Sequence, residues 1–292
     1  MILGFAFFLL ATAASVLTYW GIFSFPNWPF IWVLPLFIPL YYLACFALWI
    51  LWLGVCALFV KKDETYVYPP NKAAQWIVRQ TAYQILFVLR VKTHATGLGK
   101  FPKADIPVVL INNHLSVFDE FAIAAFFPRD FIFITKPQNF KIPIGGAWMR
   151  YAGYLPIVQG DIAGGAKVIA DATSYIRDRK LSICVAPEGT RNKTFPDPLL
   201  LPFHPGTFHL ALNSGAPVIA CAIQNTNAIT KRFPLKRTHI YLDIVGVVEQ
   251  DEYFSMSAKE LCLLSRSFIE KRFEQKEARF YHFKKKEEKK DS

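Results

Sequence analysis

Apolar residues fill the first sixty positions of the chain: Met1 to Val60 holds no Asp, Glu, Lys, Arg or His. Two runs stand out within it. Ile2 to Phe25 is 24 nearly continuous apolar residues, which as a helix would reach about 36 Å, more than the ~30 Å of a hydrocarbon core. Pro26-Asn27-Trp28-Pro29 breaks the pattern, and Phe30 to Val60 follows as a second run of 31 residues closed by Lys61-Lys62. That length predicts a span that tilts or bends, with Pro35 and Pro39 as bending points. The lysine pair assigns the end of the second run to the cytoplasm. The result is a helical hairpin with both ends inside, either crossing the bilayer or dipping into one leaflet. Ala11-Thr12-Ala13 resembles a leader cleavage site, but the basic residues that precede the apolar core of a cleaved leader are missing.

Beyond Val60 the pattern changes to alternation. Over Lys72 to Lys92, Trp76, Ile77, Tyr83, Leu86 and Phe87 recur near helical spacing among Lys72, Arg79 and Arg90, with no acidic residue. This predicts an amphipathic helix, lying in the headgroup layer or packed on a core. Short apolar runs then predict strands over 107–111, 131–135, 154–158, 181–186, 217–223 and 239–248. Helical spacing predicts helices over 119–127, 142–151, 163–179, 206–213 and 257–273, the last capped by Ser255 or Ser257. The alternation indicates an α/β fold: a mixed, mostly buried sheet flanked by helices, preceded by the transmembrane or membrane-embedded helical hairpin. The boundaries that follow are a membrane-anchoring hairpin over 1–60, an amphipathic interfacial helix and connector over 61–92, a folded domain over 93–280, and a charged tail over 281–292.

Composition narrows the classes. At 53% hydrophobic residues and a net charge of +11 over 292 residues, the chain is neither disordered nor low in complexity. The basic residues are spread without a nucleic-acid motif, so anionic lipid and an acidic or phosphorylated small partner account for the charge better than nucleic acid does. Cys45, Cys56, Cys184, Cys221 and Cys262 are odd in number and widely spaced, which reads as reduced, mostly buried thiols, and the lack of a C-x-x-C pair suggests neither a zinc site nor a redox pair. His204 and His209 lack metal-site spacing, and Ser116 is outside a G-x-S-x-G elbow, so no metal centre and no serine hydrolase is expected.

Two polar clusters carry the candidate chemistry, each just after a buried strand, where open α/β sheets place their sites. The first is Asn112-Asn113-His114-Leu115-Ser116-Val117-Phe118-Asp119. Asp119, at a helix start, can turn back to the His114 imidazole, fix its tautomer and leave the other ring nitrogen to accept a hydroxyl proton. An ordinary hydrogen-bonded pair is the competing reading. The second is Pro187-Glu188-Gly189-Thr190-Arg191. Arg191 offers a planar fork for phosphate or carboxylate, and Gly189 permits close backbone approach. Glu188 is expected to pair with a basic group or to hold the loop, a local Glu188–Arg191 salt bridge being the plain alternative.

Asn113-His114 with Asp119 matches an N-H-x-x-x-x-D motif, and Pro187 to Arg191 matches P-E-G-T-R. In this order and separation they resemble the glycerolipid acyltransferase family, especially the 1-acylglycerol-3-phosphate acyltransferases. Weaker likenesses are Lys141-Ile142-Pro143, Gly153-Tyr154-Leu155-Pro156-Ile157, Phe203-His204-Pro205-Gly206-Thr207-Phe208 and Ala216-Pro217-Val218-Ile219. The resemblance implies that 93–280 is an acyltransferase domain. It implies acyl transfer from acyl-CoA or acyl-acyl carrier protein to a lysophospholipid hydroxyl, with no further cofactor, at the cytoplasmic face of a membrane. It implies His114 as general base, Asp119 as its partner, and Asn113, Glu188, Gly189, Thr190, Arg191, Gln159 and Lys141 on the substrate side. One departure is Gln159, where the family usually carries an Arg near the phosphate. It leaves open another lysophospholipid or an acylated amino-lipid as acceptor. A lipid-binding module without turnover is the alternative from another class.

Overall fold

The computed structural model describes residues 2–23, 34–60, 68–158 and 160–275. The Pro26–Pro29 break, Lys61-Lys62, Gln159 and the charged tail lie outside the described residues. The apolar runs form α1 (Ile2–Phe23) and α2 (Leu34–Ala57), with Pro39 carried inside α2. Phe7 packs against Tyr42 and Trp49, and the Thr18 and Tyr41 hydroxyls meet at 2.6 Å. Leu10, Leu17, Trp20, Leu36, Leu48 and Leu51 are each at least 60% exposed. An apolar surface this large, left uncovered by the described residues, suits hydrocarbon, and both helices are long and apolar enough to cross a membrane.

Asn71 opens α3 (Lys72–Val88) by accepting the Ala73 and Ala74 N–H groups on its side chain at 2.8 and 3.1 Å. The chain continues through β1 (Val91–Thr96), β2 (Val109–Asn112), α4 (Phe118–Phe126), β3 (Phe131–Thr135), α5 (Gly145–Ala152), β4 (Leu155–Pro156), α6 (Ile162–Arg179) and β5 (Ser182–Val185). It ends with α7 (His209–Ser214), β6 (Val218–Gln224), α8 (Ile229–Arg232), β7 (Thr238–Val248), α9 (Gln250–Tyr253) and α10 (Ala258–Glu274). The helix expected to reach Lys92 stops at Val88 instead. Arg90 takes a left-handed φ of 58°, and the alternating Val-Lys-Thr-His-Ala-Thr run becomes an edge strand paired in parallel with β7.

The sheet runs in the order β1-β7-β6-β2-β5-β3-β4. Strands β2 to β6 are mutually parallel, and β7 reverses against β6. Both faces are covered, which is why the strands read as continuous apolar runs. Along β2 the pleat sends Val109 and Ile111 to a core with Ile176, Leu210 and Ile269, and Leu110 to a second core with Leu86, Ile123 and Trp148. The hairpin joins this second core: Leu53 is 2% exposed and accepts the Trp148 indole N–H on its carbonyl at 3.1 Å. Trp49 donates to the Thr81 hydroxyl at 3.0 Å, and the Tyr42 hydroxyl donates to Gln84. Of the two settings open to α3, the packed one is found, between α4, α5 and the hairpin, with Trp76 and Phe87 left exposed.

Candidate active site

The order β6-β2-β5 decides what meets at one edge of the sheet. Strand β2 has β5 on one side and β6 on the other, all three pointing the same way, so the residues after each carboxyl end converge. Asn113 to Asp119 follow β2, Pro187 to Arg191 follow β5, and Asn225-Thr226 follow β6.

His114 Nδ1 lies 2.8 Å from Asp119 Oδ2. The Asp119 side chain is wholly buried, while that of His114 keeps 19% of its surface in the open. The same Oδ2 accepts the Leu115 and Ser116 N–H groups at 2.7 and 2.9 Å, and Oδ1 accepts the Thr226 hydroxyl. Four donors thus converge on one carboxylate. An ionised carboxylate only accepts, so the proton of the neutral imidazole sits on Nδ1 and the Nε2 lone pair is left over. Burial opposes protonation of His114, but the hydrogen bond and charge of Asp119, with Glu120 and Glu188 adding, outweigh it and raise the pKa above the ordinary histidine value. Glu120, at the first turn of α4, is itself pushed up to about 7 by burial, opposed by His114 and reinforced by Asp119.

Glu188 does not pair with Arg191. Its Oε1 accepts the His114 N–H at 3.0 Å and its Oε2 accepts the Leu201 N–H at 3.2 Å, so this 3%-exposed carboxyl is a strut between two loops. Burial pushes it up to about 7, against the pull of those two backbone donors. The strut is doubled by the Asn192 N–H, which donates to the His114 carbonyl at 2.7 Å. Gly189 holds a φ of 64°, a left-handed turn that favours glycine. Past it, Thr190 and Arg191 emerge into solvent.

Asn113, expected on the substrate side, is instead fully buried. Its Nδ2 donates to the Ile223 carbonyl at 3.0 Å and its Oδ1 accepts the Ile223 N–H at 2.7 Å. It clamps the end of β2 to β6 and has no surface to offer a ligand. Lys141 is exposed in the turn that follows β3, at the same edge of the sheet. Thr226 escaped the sequence reading, although a hydroxyl just past the end of a buried strand was the same signal that singled out His114.

Residues 92–224 match the family model described as acyltransferase. A chloroplastic 1-acyl-sn-glycerol-3-phosphate acyltransferase of Brassica napus is 30% identical over 138 residues, covering 47% of this chain and 39% of that relative. The 1-acyl-sn-glycerol-3-phosphate acyltransferase of Salmonella typhimurium is 27% identical over 164 residues, covering 56% of this chain and 66% of that one. The chain therefore spans less than two thirds of either relative. The crystal structure of the 1-acyl-sn-glycerophosphate acyltransferase PlsC from Thermotoga maritima shares the fold, with a TM-score of 0.58 at 21% identity over 81% of this chain and 97% of that chain.

Proposed function

We propose that this chain, whose residues 92–224 match the acyltransferase family model, moves a fatty acyl group from a thioester to the free hydroxyl of a lysophospholipid. The acceptor in this reading is 1-acylglycerol-3-phosphate and the product phosphatidic acid. The observation that carries it is the part-exposed His114 ring held at 2.8 Å by a fully buried carboxylate. The names of the Brassica napus and Salmonella typhimurium relatives support the acceptor.

His114 Nε2 takes the hydroxyl proton as the oxygen attacks the thioester carbonyl carbon. The tetrahedral species collapses, the carbon–sulfur bond breaks, and the thiolate leaves with the proton from the imidazolium. Asp119 orients the ring and stabilises its charged form. A thioester is already activated, so no covalent enzyme nucleophile is needed, and a base supplying ~10²–10⁴-fold with positioning of both substrates suffices. Asn113 and Glu188 act by position. Gly189, Thr190 and Arg191 form the acceptor side in this reading, with Lys141 and Gln159 as further phosphate contacts. The hairpin holds the domain to the bilayer, Lys61-Lys62 keep it on the cytoplasmic side, the lysolipid enters from the membrane, and acyl-CoA or acyl-acyl carrier protein arrives from the cytosol.

Gln159 supports a second reading, in which the same chemistry serves another lysophospholipid or an acylated amino-lipid, because an amide offers phosphate no charge. The test is a panel of acceptors given to the full chain in nanodiscs with acyl-CoA and with acyl-acyl carrier protein, products read by mass spectrometry. Phosphatidic acid as the main product is expected. A zwitterionic product in its place would favour the second reading, and no acylated lipid from any pair would overturn both.

A further inference from the structure

The segment that follows Thr226 combines basic charge with exposed apolar side chains. Between Thr226 and Leu242 the chain carries Lys231, Arg232, Lys236 and Arg237 and no acidic residue. At the centre of this basic stretch two large apolar side chains stand out, Leu235 at 85% and Phe233 at 40% exposed. The loop that presents them is braced. The Phe233 N–H donates to the Ile229 carbonyl at 3.1 Å, the Lys236 N–H to the Arg232 carbonyl at 2.9 Å, and the Arg232 guanidinium to the Arg237 carbonyl at 3.1 Å. Arg90 reaches across from the end of α3 to donate to the Pro234 carbonyl at 2.7 Å. A leucine held out on a braced loop, flanked in sequence by four basic residues, is the combination that favours the boundary between headgroups and acyl chains of an anionic bilayer.

Its place in the fold agrees. Strand β7 runs against β6, so the connection between them lies at the edge of the sheet where His114 and Asp119 meet, and Thr230 comes four residues after the threonine that bonds Asp119. Arg90 follows Phe87, whose ring lies 5.4 Å from that of Tyr42 on α2, beside Gln84. The loop therefore stands next to the end of α3 that abuts the apolar hairpin.

We infer that the loop Thr230–Arg237 is a second membrane contact, with Leu235 and Phe233 entering the interface and Lys231, Arg232, Lys236 and Arg237 meeting anionic lipid phosphates. It rests on the reading of α1 and α2 as the membrane anchor and not on the identity of the reaction. Together with the hairpin it would hold the His114 edge of the sheet facing the bilayer, at two points instead of one.

The test is Leu235→p-benzoylphenylalanine in the full chain, reconstituted in nanodiscs of phosphatidylcholine with and without phosphatidylglycerol, irradiated, and read by mass spectrometry. Adducts to lipid are expected, increased at least about threefold by the anionic lipid. The exposed triple variant Lys231→Glu, Lys236→Glu, Arg237→Glu should abolish the increase. Lipid adducts insensitive both to anionic lipid and to the charge reversal would overturn the inference, as would adducts only to protein, which would make the loop a protein contact. Insertion into nanodiscs without lipid adducts refutes the loop contact alone. Failure of the chain to enter nanodiscs at all refutes the anchor and the loop contact together.

Discussion

Asp119 shows how one side chain can set the state of another. Its carboxylate accepts two backbone amides, a threonine hydroxyl and the His114 ring, and so cannot turn away from the ring without stranding buried donors. A base must be neutral to work, so activity should fall as pH drops through the His114 pKa, which lies above the ordinary value. Asp119→Asn removes the charge and leaves the burial penalty. The acid limb of kcat/KM should then move to lower pH, while kcat falls by about 10²–10⁴-fold, as a pH–rate series on both forms would measure. An unmoved limb would mean that another group sets it. Glu120 gives a stability counterpart. Its pKa is about 7 because burial disfavours its charge, so protonation stabilises the fold below the unfolded value and that contribution is lost as pH rises through about 7. Glu120→Gln should therefore raise the melting temperature at pH 8 and leave it nearly unchanged at pH 5. The His114–Asp119 motif was legible because its members are five positions apart, one in the loop after β2 and the other in the first turn of the helix it leads into. Thr226 offered only a hydroxyl past a strand end, with its partner 107 positions away, and of the two roles expected of Glu188 the loop-holding one is found, through backbone amides that no side-chain pattern announces.

Among the elements, legibility followed burial. Strand β3 falls where its four apolar residues and Thr135 place it, and α6 and α10 lie within a residue of their periodic stretches, with Ser257 accepting the Glu260 N–H as a cap. Strand β1 was missed because an edge strand is half polar and its sequence ran on from a helix, and β4 shrinks to Leu155–Pro156. The strand order, which brings three loops together, has no local signal at all. It is held in part by Asn113, which bridges β2 to β6 with both ends of its amide. Asn113→Ala leaves the Ile223 N–H and carbonyl without these partners, at a cost of about 1–3 kcal/mol for each buried group. A positioning residue should lower kcat more than it raises the acceptor KM. A large rise in acceptor KM at constant kcat would return Asn113 to a binding role.

For the molecule as a whole, the hairpin is built into the body and is more than a tether. Leu53 and Trp148 share a core, and Trp49 and Tyr42 hydrogen-bond to α3. A chain lacking residues 1–60 would uncover that core, and we expect it to aggregate or to melt well below the full chain in the same detergent. A soluble truncation with an unchanged melting temperature would argue for a separable anchor. This coupling fits the proposed lipid site, because with α1 and α2 in a bilayer the elements that cover the second core would also set the depth of the sheet edge. The most direct measurement of the whole account is single-turnover acyl transfer in nanodiscs, comparing the wild type with His114→Ala at matched incorporation. The account predicts acylated lysophospholipid from the wild type and a rate at least about 10²-fold lower from the variant; equal rates from the two would contradict it.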